Sequence, residues 1–249
     1  MEVLKFAFSR PPAPSLPFFR PGELQAILFD VDGTMYSQRC LYAHLALRMA
    51  APALLQPRRG IEMVRVLLHY RRSLEILRHA DSPGAIPECQ LQLAVQRTGV
   101  PQERVRAHVQ KWFFDAPLPL LKKCARPGLT NLLEFARHRG IRLGVYSDYH
   151  AEDKLRALGV REFFEVVASS EDPQVQAYKP NPLGLQITLA RLHVEPHRAV
   201  YIGDRPQVDA EAARRAGLRA VIVGCTHREP GGSWLPVRDF RALRQLLEG

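Results

Sequence analysis

No stretch of this sequence approaches the roughly 20 consecutive apolar residues that a helix needs to cross a bilayer, so a membrane-spanning helical reading is set aside at once. Cysteine is scarce: Cys40, Cys89, Cys124 and Cys225 are widely spaced and none belongs to a CxxC pair. That pattern argues against a zinc site or a disulfide framework and suits a reducing compartment. A signal-peptide h-region is also missing. Five prolines crowd residues 11–21 instead, which makes residues 1–22 an extended lead-in, and the expected localisation is cytoplasmic. No internal repeat is present.

What is present is ordinary in amount and uneven in placement. A 46% hydrophobic and 24% charged chain is a globular one, and 249 residues suffice for a core domain with a smaller one inserted. The net charge of +10 is concentrated in residues 35–124, where 14 lysines and arginines face 6 acidic residues. The same segment reads as four helices, "LYAHLALRMAAPALL", "GIEMVRVLLHYRRSLEILRHA", "ECQLQLAVQRTG" and "ERVRAHVQKWFF", punctuated by Pro57, Pro83, Pro87 and Pro101. On either side the texture changes. "LQAILF", "IRLGVY", "FEVVAS", "AVYIG" and "RAVIVG" read as short buried strands, with "RAVIVG" the last, and helices lie between them. Leu129, Leu132, Leu133 and Ala136 form a one-sided helical stripe, and "PQVDAEAARRAG" reads as a further helix. The predicted fold is α/β, a Rossmann-like parallel sheet built from residues 23–36 and 125–249, with a helical domain inserted at residues 37–124.

Ligands bind such sheets at the carboxyl ends of the strands. Asp30 and Asp32 follow the first strand, Ser147 and Asp148 the second, Lys179 the loop after the third, and Asp204 and Asp209 the fourth. These groups suit phosphoryl transfer. A carboxylate can attack phosphorus, and a second one, two residues on and facing the same way, can protonate the leaving oxygen and later deprotonate water. Several carboxylates close together call for a cation, and an all-oxygen site calls for Mg²⁺. Lys179 and Ser147 supply donors for phosphoryl oxygens. An Asx turn could explain Asp30 and Asp32 alone, and a first-turn acid could explain Asp209 through the helix dipole.

"DVDGT", the serine of "VYSD", the lysine of "YKPNP" and "GDRPQVD" resemble, in order and each after a predicted strand, the motifs of the haloacid dehalogenase superfamily. The chain resembles its phosphoglycolate phosphatase-like members with an alpha-helical cap. The resemblance implies Asp30 as nucleophile and Asp32 as general acid/base. Gly33, Thr34, Ser147, Asp148 and Lys179 would lie around the substrate phosphate. Mg²⁺ would be held by Asp30, the Asp32 main-chain carbonyl and Asp204, with Asp209 supporting or ligating. The insert would be the cap, entered through residues 35–39 and left through "CARPG".

The function implied is a Mg²⁺-dependent phosphatase acting on a small-molecule phosphate monoester through a phosphoaspartyl intermediate. A phosphomutase using the same site and a non-catalytic binding protein on the same fold are the alternatives. A dehalogenase needs no acid for a phosphate leaving group, so Asp32 argues against it. The arginines of the insert spread around a helix without interleaved aromatics, so nucleic acid is not an expected partner. The stretch "GIEMVRVLLHYRRSLEIL" could lie on an anionic membrane surface, but packing inside the insert is the expected use of its apolar residues. His150, near Ser147, is the one histidine placed close to the site, and the oligomeric state is left open.

Overall fold

Ala26–Phe29 (β1) contains nothing polar, and both of its faces are buried: Ile27 and Phe29 join one apolar cluster, Ala26 and Leu28 another. A strand of that kind needs cover on both sides, which a parallel sheet with crossover helices supplies. The structure, a computed structural model, describes residues 23–79, 86–226 and 234–248; the proline-rich lead-in and Pro83 lie outside them. Within these residues β1 is joined by Arg142–Ser147 (β2), Val166–Ser169 (β3), Ala199–Gly203 (β4), Arg219–Val223 (β5) and Trp234–Val237 (β6). All pair in parallel, in the order β3-β2-β1-β4-β5-β6. The chain runs outward from β1 to β3 and then returns to the other side of β1 as β4. The switch point therefore lies between the tips of β1 and β4, where Asp30 and Asp204 stand.

From β1 to Cys124 the described residues form no further strand, and their α-helices are Gln38–Leu55 (α1), Pro57–His79 (α2), Ile86–Thr98 (α3), Gln102–Val109 (α4) and Leu121–Cys124 (α5). The core helices are Leu129–His138 (α6), Glu152–Leu158 (α7), Leu183–Leu192 (α8), Glu211–Arg215 (α9) and Phe240–Glu248 (α10). The predicted stripe Leu129, Leu132, Leu133 and Ala136 is the buried face of α6, which with α7 and α10 covers the Ile27 side of the sheet; α8 and α9 cover the Leu28 side. A third cluster unites Val66, Tyr70, Leu74 and Leu77 of α2 with α3 and α4, and it also takes in Tyr149 and Tyr178 from the sheet's edge. Gln90 ties that seam, donating to the Tyr149 hydroxyl at 2.8 Å and accepting from the Tyr178 hydroxyl at 2.7 Å.

Four expectations need correcting. "RAVIVG" is not the last strand: β6 follows it, a four-residue edge strand whose Pro236 hid the pattern, since proline is tolerated there only because one side is unpaired. The helix expected over "PQVDAEAARRAG" opens with a π-helical turn, Pro206–Ala210, before α9, and α4 passes into another at Gln110–Asp115. The apolar residues of α2 are not all used in packing: Ile61, Val64, Leu68 and Ile76 are exposed. Cys40 and Cys124 form a disulfide, their Cα atoms 5.5 Å apart, with His44 Nδ1 3.8 Å and 4.0 Å from the two sulfurs. Eighty-four residues separate the two cysteines, so spacing alone carried no sign of the pairing, and cysteine usage gives no support to a reducing compartment.

The disulfide closes a narrow neck. Tyr36 and Ala125 form an antiparallel bridge there, Ser37 N donates to Cys124 O at 2.8 Å, and Arg126 N donates to Met35 O at 2.9 Å. Cys124→Ser removes a covalent loop closure and is expected to lower stability to urea by about 2–4 kcal/mol. Reductant should reproduce that loss in the wild type and add nothing in the variant.

Candidate active site

The pairing of β1 runs one residue past the strand, with Asp30 N donating to Ile202 O at 2.8 Å. The chain then turns at Gly33, whose φ of 93° is a left-handed conformation that side chains rarely adopt. Space is a second reason for glycine here: a Cβ on Gly33 would stand 2.3 Å from Asp204 Oδ2. Asp30 and Asp32 line one cavity, as their i, i+2 spacing predicts, although Asp32 already stands in the turn that closes on Val31 O.

The two carboxylates are held differently. Asp30 Oδ1 accepts from Lys179 Nζ at 2.7 Å and Oδ2 from Thr34 Oγ1 at 2.8 Å. Asp32 accepts from Lys154 Nζ at 2.8 and 2.6 Å, and from the Tyr36 hydroxyl. Lys179 Nζ also donates to Asp209 Oδ1 at 2.7 Å and the Tyr201 hydroxyl at 3.1 Å, so one buried ammonium joins two buried carboxylates.

Asp30, Asp204 and Asp209 present oxygens within 4.8 Å of one another. Asp209 is nearly saturated by protein donors, because its second oxygen accepts from Asp204 N at 3.1 Å and Arg205 N at 2.9 Å. It anchors the loop and Lys179. The Asp204 carboxylate accepts no hydrogen bond from the described residues, and so keeps its lone pairs. Burial pushes Asp30 up to about 8; the Lys179 ammonium pulls it down, and Asp209, Asp204 and Asp32 push it further up. Asp204 is pushed up to about 6 by burial and by Asp209. Burial alone would lower Lys179, but Asp209 and Asp30 outweigh it and hold the ammonium well above the usual lysine range. Three carboxylates around one lysine remain short of positive charge, and an all-oxygen donor set in that condition fits a hard divalent cation such as Mg²⁺.

Above these groups lies a cavity of about 120 Å³, walled on the far side by Leu41 and Leu45 of α1, Leu74 of α2, and Trp112 and Phe113. Two ion pairs latch α2 across it. Arg78 donates to Asp148 at 2.6 Å and to the Lys179 carbonyl at 2.5 Å, and Arg205 donates to Glu75 at 2.8 and 3.2 Å. Burial would raise Asp148, yet Lys179 and Arg78 keep its carboxyl below the usual carboxylate range.

Asp30, Asp32, Asp148, Lys179, Asp204 and Asp209 all line this cavity, while Gly33, Thr34 and Ser147 do not. The Gly33 carbonyl takes two donors from Arg126, at 3.0 and 2.8 Å, and the Thr34 hydroxyl is committed to Asp30. Ser147 Oγ is fully buried and has no hydrogen-bond partner among the described residues. His150 is exposed beside Glu171 and Ser169, away from the cavity. Sequence reasoning missed Lys154, Arg78, Glu75 and Arg126. Arg126 stands within "CARPG", a segment singled out for another reason, but Lys154 meets Asp32 across 122 positions with no periodic signal.

The family model described as haloacid dehalogenase-like hydrolase matches residues 24–217. A glyceraldehyde 3-phosphate phosphatase from Methanopyrus kandleri is 32% identical over 204 residues, covering 80% of this chain and 84% of that protein. A phosphorylated carbohydrates phosphatase from Thermotoga maritima is 28% identical over 207 residues, 82% and 86% of the two chains. Among solved structures, a beta-phosphoglucomutase described as putative, from the same organism, shares the fold with a TM-score of 0.61 at 22% identity, covering 90% of this chain and 99% of that one.

Without a divalent cation, the folded carboxyl of Asp30 titrates near 8, against about 4 in an unfolded chain. Because the folded value is the higher one, the stability this group contributes is full below about 4 and is lost as pH rises through about 8. In EDTA the melting temperature should fall between those limits, and Asp30→Asn should flatten the fall. Parallel profiles for wild type and variant would show that the cluster does not raise Asp30.

Proposed function

Because this chain belongs to the haloacid dehalogenase-like hydrolases, we propose that it is a Mg²⁺-dependent phosphatase that cleaves a small phosphate monoester through a phosphoaspartyl intermediate on Asp30. The observation that carries the reading is the Asp30 carboxylate itself. It is buried, gripped by Lys179 and Thr34, and set against Asp204 at the floor of the cavity. Relatives that act on phosphorylated small molecules support the substrate class.

An Asp30 oxygen attacks phosphorus, and the ester oxygen leaves with a proton from Asp32. Asp32 then takes a proton from water, and the resulting hydroxide attacks the acyl phosphate, releasing inorganic phosphate and restoring Asp30. Lys154 and Tyr36 fix the direction of Asp32 during both transfers. Lys179 orients Asp30 and keeps positive charge beside the phosphoryl oxygens. Ser147, with a buried hydroxyl that finds no partner among the described residues, is assigned as a further donor to them. Bound by Asp30, Asp204 and the Asp32 main-chain carbonyl, Mg²⁺ would offset the carboxylate repulsion and hold the phosphate in line. The latch from α2 to Asp148 and Arg205 keeps bulk water out while the intermediate exists.

Phosphate release from a panel of monoesters should require Mg²⁺, stop in EDTA, and fall at least ~10³-fold in Asp30→Asn, the scale expected when a covalent route is removed. Asp32→Asn should slow release similarly while still binding phosphate. Bisphosphate-dependent isomerisation of a sugar phosphate without net phosphate release would move the assignment to a phosphomutase. Retained activity in Asp30→Asn would remove the nucleophile assigned here.

A further inference from the structure

The large apolar side chains most exposed to solvent are gathered on one hairpin. Leu47, Leu54 and Leu55 of α1 are 77%, 79% and 83% exposed, and Ile61 near the start of α2 is 64% exposed. Val64 and Leu68 extend the patch along α2 at i+3 and i+7 from Ile61, opposite the buried stripe Met63, Val66, Tyr70, Leu74 and Leu77. A chain that packed α2 on all sides would have left none of these in water. The hairpin is held tightly: a Cβ on Gly60 would stand 2.7 Å from that of Ala53, so the two helices touch at their junction.

The same hairpin is basic. Arg58, Arg59 and Arg72 are exposed and make no hydrogen bond or ion pair with the described residues, in contrast to most of the arginines around the cavity. The acid in their midst, Glu62, is already paired with Arg104 and His108. Leucines that protrude at a helix junction, with unpaired guanidiniums beside them along a helix of 23 residues, or about 34 Å, match the interface of an anionic bilayer. There the apolar side chains enter the acyl boundary and arginines reach up to headgroup phosphates. Protein interfaces are enriched in aromatic anchors; the exposed aromatic of this hairpin, Tyr42, is covered by the Arg71 guanidinium 5.2 Å from its ring centroid and lies twelve residues before Leu54.

We infer that the exposed apolar face of the α1–α2 hairpin docks this protein on anionic membrane surfaces. No described helix is long and apolar enough to cross a membrane, so the attachment is peripheral and reversible. It involves the same helices that wall the cavity: Leu41 and Leu45 come from α1, Leu74 and Arg78 from α2, and Glu75 continues the stripe of Ile61, Val64 and Leu68 to the cavity's edge. Docking therefore holds the lid of the site at the lipid surface. The inference stands apart from the phosphatase reading, since none of Leu55, Ile61 and Leu68 borders the cavity.

The test is co-sedimentation of the full chain with vesicles of phosphatidylcholine alone and of phosphatidylcholine with phosphatidylglycerol. The wild type should pellet with the anionic vesicles, weakly with the neutral ones, and less in high salt. The combined variant Leu55→Ser, Ile61→Ser, Leu68→Ser should lose ~10-fold or more of that binding and keep its melting temperature and its Mg²⁺-dependent phosphate release from a water-soluble monoester. The variant Arg58→Gln, Arg59→Gln, Arg72→Gln should weaken binding and flatten its salt dependence. Absence of wild-type binding to anionic vesicles, or binding that survives the serine substitutions, overturns the inference. So does a concentration-dependent dimer that the serine variant abolishes, which would give the face to a second copy of the chain. Loss of phosphate release in every protein, with vesicle binding intact, would bear on the catalytic reading alone.

Discussion

One buried ammonium sets the terms for the catalytic end of the sheet. Lys179 lies 2.7 Å from both Asp30 and Asp209, and all three are almost completely buried. Removing two carboxylates and an amine from water is costly, and their mutual attraction compensates only with good geometry and further hydrogen bonds. The surroundings supply them: Thr34 to Asp30, Tyr201 to Lys179, two main-chain amides to Asp209. The glycines follow from the same demand. Gly33 makes room for Asp204, and Gly203 for Asp209, whose Cβ would lie 2.3 Å from any side chain placed there. The loops after β1, β3 and β4 thus converge on a single charge, and the switch point of the sheet is where they can.

The helical lid is governed by a second set of constraints, largely independent of the first. It is sealed to the core by the Tyr70, Tyr149, Tyr178 and Phe113 aromatic group and latched by Arg78 and Arg205. At its base the Cys40–Cys124 disulfide and the Tyr36–Ala125 bridge hold entry and exit together. Tyr36 belongs to both systems, since its hydroxyl donates to Asp32. Movement at the neck would therefore be felt at a carboxylate that the proposed chemistry uses.

Sequence alone determined which side chains stand at the strand tips. An apolar run that is buried on both faces ends where a polar residue can reach water or a partner, so the tips of β1, β2 and β4 mark Asp30, Ser147, Asp148 and Asp204 without knowledge of the fold. The i, i+2 spacing of Asp30 and Asp32 likewise carried its own geometry. Strand order, the Lys154–Asp32 and Arg78–Asp148 pairs, the disulfide and the exposed face of α2 were decided by tertiary structure. The separations, 122 residues for Lys154–Asp32 and 84 for the disulfide, explain why. Periodicity records which face of an element is apolar, whereas the partner that meets that face depends on how distant elements cross. On α2 two apolar stripes look alike in sequence, and only the packing of α3 and α4 against one of them left the other in water.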